Sequence, residues 1–110
     1  MSKMVPITSN RRFALCEPVQ LAPEGSDPGG GLLIELSRVA CRISNLGKML
    51  LNPGDDVTLS GQPCTDMRGT VRWAHSGCAG IALAEPLSSP ELLRILEVSR
   101  GPNVVRRLSA

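Results

Sequence analysis

Two short alternating segments that meet at a two-residue turn most constrain the fold of this chain. The segment MRGTVRWAH (67–75) alternates apolar and polar residues, which places Val71 and Trp73 on one predicted face of a strand. A Ser-Gly pair follows, and CAGIALA (78–84) continues with apolar residues in phase. Two such runs joined by two turn residues predict a β-hairpin.

Four further segments have the composition of short strands: residues 13–21, 32–37, 40–44 and 57–61. Pro18 cannot donate a backbone hydrogen bond, so the first of them is predicted to be an edge strand or a bent one. The Gly- and Pro-rich stretch 22–31 is predicted to be a loop, and Pro-Gly within 52–56 a turn. Many short strands separated by turns predict a small barrel or a sandwich.

A helix is predicted near residues 89–100. Ser88 and Glu91 have the spacing of a capping box, and Gly101 with the following proline ends the helical pattern. The sequence therefore predicts one mainly β domain over residues 11–101 that ends in a helix. A flexible arm at 1–10 and a tail at 102–110 flank it.

Composition excludes several classes of function. A net charge of +2 and two aromatic residues, Phe13 and Trp73, argue against a nucleic-acid-binding surface. No apolar stretch is long enough to span a bilayer, and the N-terminus lacks the apolar centre of a signal peptide, so no membrane insertion and a cytoplasmic location are expected. The single histidine and the absence of a nucleophile–base motif predict that the chain is not an enzyme.

The four cysteines are widely scattered and are interpreted as small buried apolar residues rather than ligands: Cys16, Cys41, Cys64 and Cys78. His75 and Cys78 form at most half of a metal site. We therefore predict no metal, no cofactor and no catalytic residue.

Four stretches, in chain order, resemble the PilZ domains of bacteria: RRFALCEPVQL, LIELSRVACRI, GDDVTLS and GTVRWAHSGCAGIALAEPL. With the terminal helix, the resemblance covers about residues 11 to 97. It implies a six-stranded antiparallel β-barrel and a role in second-messenger signalling, since many PilZ domains are receptors for cyclic di-GMP. An Arg-x-x-x-Arg arm and an Asp/Asn-x-Ser-x-x-Gly signature would hold the phosphates and guanines of that ligand.

The match to this signature is partial. Arg12 fits the first arginine of the arm, but Cys16 stands at the second position. A register that starts at Arg11 would put a leucine there instead. Within LIELSRVACRI, Glu35 stands at the Asp/Asn position, Ser37 matches, and Ala40 replaces the glycine. Three of the five signature positions therefore differ.

The resemblance implies a set of ligand-binding residues for cyclic di-GMP: Arg11, Arg12, Glu35, Ser37, Arg38 and Ala40. One lost charge-assisted contact costs about 1.5–3 kcal/mol, and an alanine forced to positive φ about 1 kcal/mol more. Together these losses weaken binding about a hundredfold or more. Arg38 and Arg42 repeat the Arg-x-x-x-Arg spacing, and so do Arg68 and Arg72. Arg68 and Arg72 are interpreted as a solvent-exposed stripe on one face of their strand.

Two functions follow from this partial match. The first is a signalling module with weakened or lost cyclic di-GMP binding that acts through a protein partner. The alternative is a functional receptor that binds the nucleotide with the arginine arm and the signature around Glu35 and Ser37. A nucleic-acid-binding barrel is a distant third.

Overall fold

A computed structural model describes residues 11–64 and 66–100, which form a closed barrel of six strands and one helix. The elements are β1 (Phe13–Pro23), β2 (Gly29–Leu36), β3 (Ala40–Ser44), β4 (Asp56–Gly61), β5 (Met67–His75), β6 (Cys78–Leu83) and α1 (Ser89–Arg100). All neighbouring strands are antiparallel, in the order β1-β2-β3-β6-β5-β4, and β4 closes the barrel onto β1. The predicted barrel is confirmed. The predicted arm at 1–10 and tail at 102–110 lie outside the described residues.

The core lies inside the barrel and beneath α1, and its buried aliphatic side chains come from every strand. The seven largest fully buried side chains are Leu21, Leu33, Leu36, Ile43, Leu59, Val71 and Ile81. Burying one such side chain stabilises a fold by about 1.5–3 kcal/mol. Branched aliphatic residues thus fill a barrel that holds neither of the two aromatic residues in its buried core.

The predicted hairpin of β5 and β6 is confirmed, but the residues of β5 after Val71 face the opposite side from the predicted one. Ser76 and Gly77 have φ of 55° and 75°, as in a type I′ turn. The β5–β6 register shifts between Val71 and Trp73, which indicates a bulge. After the bulge Ala74 packs against the core, and Trp73 is half-buried outside it. The prediction that Trp73 shares the inner face with Val71 is therefore wrong.

β2 begins inside the stretch predicted to be a loop. Gly31 pairs with Val19 on β1, and a Cβ at Gly31 would lie 2.8 Å from Ile43 Cγ2. Glycine here permits a close approach within the barrel wall rather than a turn. Pro18 pairs with Leu32 just before the β1–β4 ladder starts, where a missing N–H breaks no bond to β4.

The helix α1 starts with the predicted capping box. The Ser88 N–H donates to Glu91 Oε1 at 2.9 Å, and the Glu91 N–H donates to Ser88 Oγ at 3.2 Å. Leu92, Ile95 and Leu96 bury the inner face of the helix, which packs on β1. No helix within the described residues has the length and apolar character needed to span a membrane.

Candidate functional site

A pocket of about 290 Å³ opens where the turn between β2 and β3 meets β5 and β6. Its lining residues come from five parts of the chain: Arg12, Glu35, Ser37, Ala40, Cys41, Arg42, Arg72, Trp73, Gly80 and Ile81. We call it the basic pocket, after Arg12, Arg42 and Arg72. Four of the six predicted ligand residues therefore lie together on one surface.

Three irregularities in the strand ladders flank the basic pocket. The β1–β2 register shifts between Ala14 and Glu17, and the β2–β3 register shifts between Leu33 and Glu35. The third shift is the bulge on β5 next to Trp73. Bulges interrupt strict alternation and redirect side chains. This explains how Glu35 and Trp73, neither of which lies in the core cluster, come to line one pocket.

Arg12 and Glu35 form an ion pair at the mouth of the pocket. The Arg12 Nη1 atom lies 3.8 Å from Glu35 Oε1. The side chain of Arg12 is 72% exposed and that of Glu35 30% exposed, so solvent screens the attraction strongly. The carboxylate at the signature's acidic position is therefore already next to a cation from the same chain.

Ser37 is buried, and its hydroxyl closes the turn between β2 and β3. Its Oγ accepts the N–H groups of Val39 at 3.2 Å and Ala40 at 3.1 Å, and it also lies 3.3 Å from the Ala40 carbonyl oxygen. The Ser37 N–H donates to the same carbonyl at 2.8 Å. The hydrogen-bonding capacity of this hydroxyl is thus largely used within its own turn.

Ala40 occupies the glycine position of the signature without strain. It is the first residue of β3 and pairs with Ala82 on β6. Its φ is not among the positive values found in the described residues. The cost of about 1 kcal/mol for an alanine forced to positive φ therefore does not apply to Ala40.

Arg11 and Arg38 were predicted to be ligand residues, but the structure places neither of them on the basic pocket. The Arg11 guanidinium lies 5.1 Å from the centroid of the Phe13 ring, a cation–π contact. Arg38 Nε donates to the Leu87 carbonyl at 2.5 Å, and the Leu87 N–H returns a bond to the Arg38 carbonyl. Arg38 thereby fastens the β2–β3 turn to the segment before α1.

The sequence patterns predict no ligand role for Arg42, Arg72 or Trp73, yet all three line the basic pocket. Arg42 pairs directly with Glu35 across the β2–β3 ladder, so the two residues share a face. Arg72 was interpreted as part of a solvated stripe with Arg68, yet Arg72 lines the basic pocket and Arg68 lines a different depression. The repeated Arg-x-x-x-Arg spacing is the sequence signal that could have pointed to Arg42 and Arg72. The bulge on β5, which gives Arg72 different surroundings from Arg68, cannot be recognised in the sequence.

The indole of Trp73 lies over the backbone of Gly80. A Cβ atom at Gly80 would overlap the indole Nε1, so a larger residue here would displace the ring from its observed position. The His75 ring lies 4.9 Å from that of Trp73 between centroids. The pocket thus has an aromatic wall beside two arginines, a combination suited to anions that carry a planar group.

The pocket offers little for catalysis. Cys41 is its one thiol, and burial together with the nearby Cys64 thiol raises the pKa of Cys41 to about 12. A thiol that stays protonated at neutral pH is a poor nucleophile. Among residues 11–64 and 66–100, no group of three or more His, Cys, Asp or Glu residues could hold a metal ion.

A closed six-stranded antiparallel barrel with a helix packed on its first strand is the fold of PilZ domains, and comparison with solved structures supports this assignment. The chain is similar to the PilZ domain of CeSA from a cellulose-synthesizing bacterium, at 14% identity with a TM-score of 0.63, over 86% of this chain and 99% of that one. It is also similar to the inhibitor of motility MotI/DgrA of Bacillus subtilis, at 14% identity with a TM-score of 0.57.

The second match covers 88% of this chain but 49% of the Bacillus protein, so this chain spans about half the length of that relative. At this level of identity the likeness establishes the fold alone. No family model matches the sequence, and no curated protein matches it significantly.

Proposed function

We propose that this chain is a bacterial, cytoplasmic, non-enzymatic PilZ-like signalling module that acts through protein contacts and binds cyclic di-GMP weakly or not at all. The observation that carries the proposal is that the polar side chains at the signature positions are engaged within the chain. Glu35 is paired with Arg12, and the Ser37 hydroxyl holds its own turn. A ligand would have to replace these interactions before it gained new ones.

Cys16 supports the same conclusion. It stands where the arm's second arginine would be, it is exposed, and it does not line the basic pocket. A missing bidentate arginine removes about 1.5–3 kcal/mol of binding free energy. At 1.4 kcal/mol per tenfold, this is about a tenfold to hundredfold loss in affinity.

One observation favours the alternative, a functional receptor for the nucleotide. Arg42, Arg72 and Trp73 supply positive charge and an aromatic wall that the signature does not include. These groups are chemically equivalent to the clamp that the arm has lost, because guanidinium groups bind phosphate and indole rings stack on bases. Within this alternative, Arg42 and Arg72 take the place of the arginine that the arm lacks at position 16.

Isothermal titration calorimetry with cyclic di-GMP separates the two functions. The proposal expects a dissociation constant of about 10–100 μM or weaker, because the missing arginine alone weakens a micromolar site about tenfold to a hundredfold. Low-micromolar binding that is abolished by Arg42→Gln or Arg72→Gln would overturn the proposal in favour of the receptor. Glu97→Gln on the exposed face of α1 is the control for a general effect of charge.

A second experiment tests the alignment of the signature. The triple variant Cys16→Arg, Glu35→Asp and Ala40→Gly restores the signature at every position that differs, and it is expected to bind cyclic di-GMP at least tenfold more tightly than the natural chain. An unchanged affinity in a folded triple variant would contradict the alignment of Cys16 and Glu35 with the family signature.

A further inference from the structure

A second depression, of about 730 Å³, lies on the barrel wall and shares no lining residue with the basic pocket. Its walls are the end of β1, the first residues of β4 and β5, and the segment 83–87 that leads into α1. It is more than twice the volume of the basic pocket. We call it the acidic groove, after the carboxylates that line it.

Five of the ten acidic residues of the chain line this groove: Glu24, Asp56, Asp66, Glu85 and Glu91. All five are exposed, and Arg68 is the one basic residue among the lining residues. The groove therefore carries a local excess of negative charge on a chain whose net charge is +2. A concave surface lined by charges of one sign concentrates the field and attracts oppositely charged partners.

Three of these carboxylates have no partner in the described parts of the chain. Asp56 accepts a bond from Thr70 Oγ1 at 3.3 Å, and Glu91 belongs to the capping box of α1. Within residues 11–64 and 66–100, no hydrogen bond or ion pair engages the side chains of Glu24, Asp66 or Glu85. These three groups are available to pair with cations from outside.

The lining between the carboxylates is apolar. Val57 is buried there, and Met67, Leu83 and Leu87 are half-buried. Met is a flexible side chain that adapts to different contact surfaces. An apolar lining among unpaired carboxylates fits a ligand that carries apolar and cationic groups together, rather than a bare cation.

We propose that the acidic groove binds an extended, basic and apolar segment of a partner protein. Arginine or lysine side chains of that segment pair with Glu24, Asp66 and Glu85, and its apolar side chains cover Met67 and Leu83. Charge complementarity selects the partner and the apolar contacts hold it. Nucleic acid is excluded as the occupant because its phosphates would face the five carboxylates.

A second copy of this chain is a poorer occupant. Its matching basic surface would be the pocket of Arg12, Arg42 and Arg72, which is itself concave. Two concave surfaces cannot fill one another, whereas an extended segment fits a groove. The inference rests on the proposed role in protein contacts, but it locates the contact away from the former nucleotide site.

The test measures binding of a fluorescent synthetic peptide of alternating arginine and leucine to the full chain, by fluorescence anisotropy. The natural chain is expected to bind this peptide saturably and to bind the same peptide with glutamate for arginine at least tenfold more weakly. The variant Glu24→Gln/Glu85→Gln is expected to lose about tenfold in affinity, or roughly threefold for each exposed carboxylate.

The matched control is Asp27→Asn/Glu97→Gln, which removes the same charge from two exposed positions outside the groove. It is expected to change affinity by less than about twofold. Equal losses in the two double variants would show diffuse attraction and overturn the groove as the site. A peptide with serine for leucine that binds as tightly as the original would overturn the apolar part of the proposal.

Two further results would assign the groove to another occupant and overturn the proposal. One is a tenfold gain in peptide affinity on Arg106→Gln/Arg107→Gln, which would identify the chain's own basic segment as the occupant. The other is a dimer in sedimentation experiments that Glu24→Gln/Glu85→Gln dissociates. Titration with cyclic di-GMP tests the basic pocket alone. If the natural chain binds the nucleotide weakly and does not bind the peptide, the acidic groove is overturned as a binding site and the proposed function is unaffected.

Discussion

Arg12 reaches across the start of the barrel to Glu35, and the 3.8 Å between Nη1 and Oε1 joins the two charged ends of the nucleotide signature to each other. The pair lies at the mouth of a pocket that also contains Arg42 and Arg72. Glu35 is the pocket's one carboxylate and faces three guanidinium groups. Its charge therefore decides how strongly the pocket attracts an anion.

We expect Glu35→Gln to strengthen anion binding and to leave stability nearly unchanged. Removing one charge about 5 Å from a bound anion lowers the binding free energy by about 0.8 kcal/mol in water, which is roughly fourfold in affinity. The lost exposed ion pair changes the free energy of unfolding by less than about 1 kcal/mol. Calorimetry with cyclic di-GMP and urea unfolding measure the two quantities, and a weaker affinity in the variant would show that Glu35 itself contacts the ligand.

Ala40→Gly is expected to weaken the fold without improving the site. Ala40 has an ordinary extended conformation at the start of β3, so glycine relieves no strain there. Glycine in a strand costs about 0.5–1 kcal/mol through backbone entropy. Urea unfolding should show this loss, while the affinity for cyclic di-GMP should stay the same; a more stable variant would mean that Ala40 is strained.

The architecture could be predicted from the sequence because local signals dominate it. The strand at 67–75, the Ser-Gly turn and the capping box each depend on neighbouring residues, and the sequence predicts each of them correctly. The shape of the site depends on long-range register. The bulge after Val71 moves Trp73 out of the core, and no short pattern encodes that change.

The glycines illustrate the same limit. Gly29 to Gly31 are typical of a loop in sequence, yet they form the start of β2. The reason is a close approach of Ile43 Cγ2 and Leu46 Cδ2 to the position of a Cβ at Gly31, a contact between residues distant along the chain. Such packing is decided only when the barrel closes.

The cysteines are expected to differ sharply in reactivity. Cys16 is exposed, whereas burial raises the pKa of Cys41 to about 12 and that of Cys64 to about 11. A thiol-specific reagent at pH 8 should therefore modify Cys16 first and reach Cys41 and Cys64 only after unfolding. Mass spectrometry of the labelled peptides identifies the sites; early labelling of Cys41 would contradict the closed barrel.

Cys41 also makes the fold sensitive to alkali. Its pKa is about 12 in the folded chain against 9.0 in the unfolded one. Below pH 9 both states keep the proton, and above that pH the unfolded state loses it first. Stability should therefore fall by up to about 1.4 kcal/mol per pH unit between pH 9 and 12. Cys41→Ala should show a shallower decline than the natural chain in urea unfolding, and an equal decline would show that Cys41 does not ionise on unfolding.

The capping box makes α1 sensitive to acid. Hydrogen bonds from the backbone and side chain of Ser88 lower the pKa of Glu91 from its ordinary 4.5. The stabilisation is present above pH 4.5 and is lost as the pH falls through the lower folded value. Ser88→Ala should remove the cap at a cost of about 0.5–2 kcal/mol near neutral pH. Thermal unfolding followed by circular dichroism checks both effects, and Ser89→Ala is the control for the neighbouring hydroxyl.

Gly80→Ala tests the contact between the Trp73 indole and the backbone of Gly80 in the basic pocket. A methyl group at this position would overlap Trp73 Nε1 and Cε2, so the ring must move away from β6. Overpacking of this kind costs about 1–3 kcal/mol. Because Trp73 is the one tryptophan in the chain, its fluorescence reports the movement directly, and the emission should shift to longer wavelength as the ring becomes exposed.

Gly30→Ala is the matched control, since the nearest atom to its Cβ would be the Val19 carbonyl oxygen at 4.0 Å. An unshifted spectrum in Gly80→Ala, or the same loss of stability in both variants, would contradict the contact between Trp73 and Gly80.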